Sequence, residues 1–131
     1  MAKKLSMFFG IVFVLVGLLG FVPNPIVGPN GYFVTNTAHD VVHILVGAIL
    51  LSLGYLSEHA AKLALYGTGA AYLLLGVLGF VQIGGSGDVM LLEAVHVNHN
   101  DNWLHVVLGV VLIVSGLAAK EQHGHVLRST H

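Results

Sequence analysis

The chain has 131 residues, 56% of them hydrophobic and 8% charged, with a formal net charge of −1. A soluble domain carries about 25% charged residues, so this chain lacks the charge to coat a water-facing surface and reads as an integral membrane protein of one domain. The near-zero net charge argues against a nucleic-acid partner. The absence of cysteine excludes disulfides, thiolate metal sites and thiol catalysis.

Four apolar runs follow one another, at about 5–22, 40–56, 60–81 and 103–119. At ~1.5 Å per residue each can cross a ~30 Å hydrocarbon layer. Helices are expected, because lipid offers no partner to a free backbone group. Lys3 and Lys4 ahead of the first run resemble the start of a signal peptide. The run is too long for one, and no small-residue cleavage site follows, so it is expected to stay. "FVPNPIVGPNGY" ends it with prolines and glycines that cannot continue a helix. The second run passes into the third through "GYLSEHAAK", a tight turn in which Ser57 can cap the third helix.

"QIGGSGD" ends the third run. "GDVMLLEAVHV" (87–97) reads either as an ordinary loop or as an interfacial segment with Met90, Leu91 and Leu92 dipping into lipid. The tail 120–131 carries His123 and His125 and reads as solvated chain.

All five basic residues fall on one side of this layout. Lys3 and Lys4 precede the first helix, Lys62 lies in the turn between the second and third, and Lys120 and Arg128 follow the fourth. The positive-inside rule then puts both termini in the cytoplasm, with outer loops at 23–38 and 82–102. Tyr32 and Trp103 fall at the outer interface, Tyr55 and Tyr66 near the inner one. The expected location is a plasma membrane, read as a prokaryotic inner membrane, with the lipid bilayer as the first partner. A homo-oligomer or a larger membrane complex would be the further ones.

The chain repeats itself. "GIVFVLVGLLGFV" (10–22) returns as "GAAYLLLGVLGFV" (69–81), so Gly10, Gly17 and Gly20 match Gly69, Gly76 and Gly79 at an offset of 59. In the second helix of each half the offset is 62. Asn36 matches Asn98, His39 Asp101, Asp40 Asn102, His43 His105, Gly47 Gly109 and Gly54 Gly116. The halves, about 3–56 and 60–119, are two copies of one helical hairpin in the same orientation, which implies a pseudo-twofold axis along the membrane normal. Gly17, Gly20, Gly47, Gly76, Gly79 and Gly109 are expected where helices approach closely, because small residues replace the missing hydrophobic drive.

The paired motifs, with "GLLGFVPNP" ahead of the first, resemble a family of small four-helix membrane proteins, the domain of unknown function 4383. That family looks like two repeats carrying N-x-x-H-N-x-x-H-x-x-x-G and N-x-x-D-N-x-x-H-x-x-x-G. Here they read Asn36, His39, Asp40, His43, Gly47 and Asn98, Asp101, Asn102, His105, Gly109; Asp40 departs from the usual Asn. The resemblance covers about 5–119. It implies topology rather than activity.

The stripe on each second helix is polar at its outer end and small further in, so it should face protein. The first reading of the cluster Asn36, His39, Asp40, His43, Asn98, Asp101, Asn102 and His105 is a structural knot. In it, side chains satisfy one another at about 0.6 kcal/mol per bond, and Asn36 and Asn98 cap the helices, as could Thr37 and Asn100. The matching role is a non-catalytic accessory or interaction module, with no catalytic residue and no cofactor. A second reading is a zinc-like metal on His39, His43, Asp101 and His105, since H-x-x-x-H puts both rings on one helical face. A third is haem b between His43 and His105, although no arginine waits for its propionates. A proton or small-solute pathway is the last. His96 and His99 lie in the adjoining loop, and Tyr72 falls mid-span in the third helix, where core packing accounts for it.

Overall fold

The computed structural model describes residues 1–83 and 87–119. The expectations for the tail 120–131, including Lys120, His123, His125 and Arg128, lie outside the described residues. In chain order the elements are α1 (Ala2–Leu19), β1 (Val27–Gly28), β2 (Phe33–Val34), α2 (Thr37–Leu56), α3 (Glu58–Ile83), β3 (Asp88–Leu91), β4 (Val95–Asn98) and α4 (His99–Ala118). All four helices are long and apolar enough to cross a membrane, and only 28–33% of each span is buried within the protein.

The burial pattern is that of a protein in lipid. Leu15, Leu45, Val77 and Val114 are exposed, whereas Ser6, His39, Asp40, His43, Asp101, Asn102 and His105 are buried. Water would favour the reverse. An apolar core of Phe9, Phe13, Leu50, Ala61, Leu65, Tyr72 and Leu112 fills the rest of the interior. Ser6 sits in it with its hydroxyl donating to the Leu50 carbonyl at 2.7 Å.

α1 packs chiefly on α2, and α3 on α4. The contacts repeat with the sequence. A Cβ on Gly47 would stand 2.7 Å from the Gly10 carbonyl oxygen, and one on Gly109 2.8 Å from that of Gly69. A Cβ on Gly17 would stand 2.6 Å from the Asp40 carbonyl oxygen, and one on Gly76 2.9 Å from that of Asn102. A Cβ on Gly20 would run into the Asp40 carboxylate, and one on Gly79 into the Asn102 amide. Backbone lies against backbone at these points, and any larger residue would hold the helices apart.

One end of the bundle is a minimal turn. Ser57 alone separates α2 from α3, in an extended conformation, and its hydroxyl accepts from the Ala60 amide at 3.0 Å. Lys62 therefore lies within α3, not in the turn expected for it. The helix already starts at Glu58 because nothing in "SEHAAK" interrupts it.

The other end carries the four short strands. Asn24 shapes the first connection: its Oδ1 accepts from the Ile26 and Val27 amides, and its Nδ2 donates to the Leu19 and Val27 carbonyls. β1 and β2 form a two-residue parallel ladder, Val27 with Phe33 and Gly28 with Val34. Gly28 has φ 145°, a conformation that favours glycine. In the second connection β3 and β4 form an antiparallel hairpin, Asp88 with Asn98 through Leu91 with Val95. The segment expected as an ordinary loop or an interfacial stretch is thus a hairpin, in which Leu91 and Val97 are buried while Met90 and Leu92 are exposed.

α2 and α4 also begin three or four residues earlier than their apolar runs. Asn36 accepts from the His39 amide, and Asn98 from the Asp101 amide, both at 3.0 Å, so "TAH" and "HNDN" are wound into first turns. Each cap also reaches into the other half. Asn36 Nδ2 donates to the Ala94 carbonyl and Asn98 Nδ2 to the Tyr32 carbonyl, both at 3.0 Å.

Candidate metal centre

The capping asparagines fix where α2 and α4 begin, and thereby the height of the residues one turn in. His39 and His43 lie on one face of α2. His105 comes across from α4. All three rings are buried, with exposures of 2%, 6% and 3%. Ring centroids are 4.6 Å apart for His39 and His43, 5.7 Å for His39 and His105, and 6.4 Å for His43 and His105. Each residue offers one donor atom, and these atoms all lie within 4.8 Å of one another.

His39 Nδ1 stands 2.8 Å from the carbonyl oxygen of His96 on β4. A carbonyl has no proton to give, so Nδ1 carries the hydrogen. In the neutral ring, Nε2 is then the lone-pair nitrogen. Among the described residues, that Nε2 is buried without a hydrogen-bond partner, and so are His43 Nδ1 and His105 Nδ1. An imidazole held by a backbone carbonyl on one nitrogen, with the other buried and unpartnered beside two further histidines, is the arrangement that orients a metal ligand.

The remaining expected site residues divide. Asp101 is buried but serves the helix: its Oδ2 accepts from the Asn98 amide at 2.9 Å, closing a reciprocal capping box. Among the described residues the group of converging donors is His39, His43 and His105, without Asp101. Asp40 and Asn102 lie against Gly20 and Gly79, on the faces turned to α1 and α3. Asp40 Oδ1 and both amide atoms of Asn102 are buried without a hydrogen-bond partner. Asn36 and Asn98 are caps. His96 on β4 and His99 at the start of α4 do not join the cluster through their rings. His96 pairs with Asp88 at 3.4 Å, and His99 tilts against Phe80.

Two further residues close the site: Phe13, which the sequence reading did not single out, and Tyr72, which it read as core packing. Phe13 and Tyr72 meet edge to face at 5.0 Å. Phe13 lies 5.7 Å from the His43 ring, and Tyr72 lies 5.2 Å from the His105 ring and stacks on His43 at 6.2 Å. They are themselves repeat partners at the offset of 59, and that alignment was the signal available for them.

Four apolar helices around a buried trio of histidines, with the trio near the strand-bearing end, define the class of protein. Within that class the chain belongs to the family described as Domain of unknown function (DUF4383), whose profile matches residues 3–118. Neither the curated proteins nor the solved structures contain a match.

Proposed function

We propose that this is a multi-pass protein of a prokaryotic inner membrane that holds one zinc-class divalent ion on His39, His43 and His105. Its two helical hairpins are related by a pseudo-twofold axis, with both termini cytoplasmic and the strand-bearing end outside. Lys3, Lys4 and Lys62 support that direction, since all three lie toward the Ser57 end and residues 23–36 and 87–98 contain no Lys or Arg.

The observation that carries the metal reading is the set of buried ring nitrogens without partners. A knot of mutually satisfied side chains would need hydrogen bonds among the rings, and each buried polar atom left unpaired costs about 1–3 kcal/mol. An ion converts that cost into ligation. Three imidazoles around a tetrahedral zinc have nitrogens roughly 3.3 Å apart, from bonds of about 2.0 Å. Donors already within 4.8 Å reach that spacing by small ring rotations.

Haem fits less well. A porphyrin plane between His43 and His105 would need the space that the His39 and Tyr72 rings occupy. A through-pathway also fits poorly, since Phe13, Tyr72, Leu50 and Leu112 fill the bundle next to the trio. The test is metal analysis of the full-length protein in detergent after equilibration with zinc and gel filtration. One equivalent in wild type, lost in His43→Ala and in His105→Ala, is the expected result. Equal zinc in all three proteins would overturn the assignment.

A further inference from the structure

Resting on that metal assignment, we infer that the centre has an open fourth position and that this position takes a small monodentate anion. The donor count comes first. Among the described residues, three histidines converge and no acid joins them. Asp101 is committed to the Asn98 amide, and Asp40 is turned toward Gly20. Three protein ligands with a vacant fourth place are the pattern of a reactive zinc-class site, whereas structural sites are closed by four.

Charge comes second. Three neutral imidazoles leave the two positive charges of the ion in place within a bundle surrounded by lipid. An uncompensated buried charge is costly, and a negatively charged fourth ligand reduces it directly. No side chain of the centre supplies that ligand.

The surroundings come third. The three rings are buried, with 2–6% exposure, and that burial limits the ligand to a few atoms. The Phe13–Tyr72 pair closes one side of the trio. On the strand-bearing side β4 crosses His39. No lysine or arginine lies in the described connections there, so anion binding should depend wholly on the metal.

The experiment uses the full chain in detergent, loaded with cobalt(II) in place of zinc and titrated with sodium azide. The expected result is a set of visible cobalt bands that shift along a saturable one-site curve, with no azide response in metal-free protein. Cobalt bands that ignore azide would overturn the open position while leaving the metal site standing. Absence of cobalt bands would overturn both. Tyr72→Phe is the second arm, because Tyr72 is the nearest phenol. An azide response that appears only in this variant would mean that Tyr72 fills the fourth place, and the inference would fall.

Discussion

The ring of His39 and the backbone of His96 are joined by a 2.8 Å hydrogen bond from Nδ1 to the carbonyl oxygen. It ties α2 to the hairpin that precedes α4, and it fixes which nitrogen of His39 carries the hydrogen and which keeps the lone pair. Asn36 reinforces the same junction, since its amide donates to the Ala94 carbonyl and its Oδ1 lies 3.3 Å from the His96 amide.

Asn36→Ala should therefore do two things at once. Loss of the cap should cost about 1 kcal/mol of stability. Loosening β4 over His39 should weaken metal binding by about 10–100-fold, the usual effect of removing an outer partner of a ligand. Asn36→Asp keeps the acceptor for the His39 amide but not the donor to Ala94, so it should retain most of the stability and lose part of the affinity. Thermal unfolding in detergent and competitive zinc titration measure the two effects separately. Full affinity in Asn36→Ala would show that the hairpin does not position the ligand.

Glycine packing gives a matched pair of substitutions within α3. A Cβ on Gly76 would meet the Asn102 carbonyl at 2.9 Å and the Val106 amide at 3.0 Å, both backbone atoms that cannot step aside. Gly76→Ala should lower stability by about 1–3 kcal/mol through overpacking. Gly67 has nothing within 4 Å of the same position, so Gly67→Ala should be neutral or stabilising by up to about 1 kcal/mol. Equal melting temperatures for the two variants would mean that α3 and α4 do not approach as described.

The glycine register was legible because a helix interface repeats its small residues wherever the backbones touch, and the two halves preserve it at offsets of 59 and 62. The caps were legible for a similar reason: Asn36 and Asn98 stand just before periodic apolar runs. The β3–β4 hairpin was not. Its turn uses Leu92 and Glu93 at φ 52° and 59°, in place of the glycine or asparagine that marks such a turn in a sequence. Asp101 was ambiguous in the sequence because one residue satisfied two patterns, the i,i+4 spacing to His105 and the third position of a capping box. Only the position of the Asn98 amide decides between them. The His96 carbonyl was invisible in principle, since a backbone atom leaves no residue signature.

Topology is open to a direct measurement. With Lys3, Lys4 and Lys62 toward one end of the bundle, a reporter fused after His131 should be active only as a cytoplasmic enzyme. A cysteine placed at Tyr32, which is well exposed at the strand-bearing end, should react with a membrane-impermeant thiol reagent in intact cells. Labelling only after lysis would reverse the orientation and put the histidine trio on the cytoplasmic side.

The metal reading and the structural-knot reading make opposite predictions for His43→Phe. The phenyl ring is flat and somewhat larger than the imidazole that meets Phe13 edge-on, and it removes the buried Nδ1 that has no partner among the described residues. If the histidines are held for mutual hydrogen bonding, the metal-free variant should lose about 1 kcal/mol. If they are held for an ion, the metal-free variant should be as stable as wild type or more so, because an unpaired polar atom has left the interior. Zinc then separates the two proteins. At a free concentration 100 times the dissociation constant, binding to the folded state adds about 2.7 kcal/mol, and this gain should appear in wild type and be absent from His43→Phe. Melting curves of both proteins, with chelator and with excess zinc, give all four values. A variant that melts below wild type in chelator, together with a wild type indifferent to zinc, would return the cluster to a purely structural role.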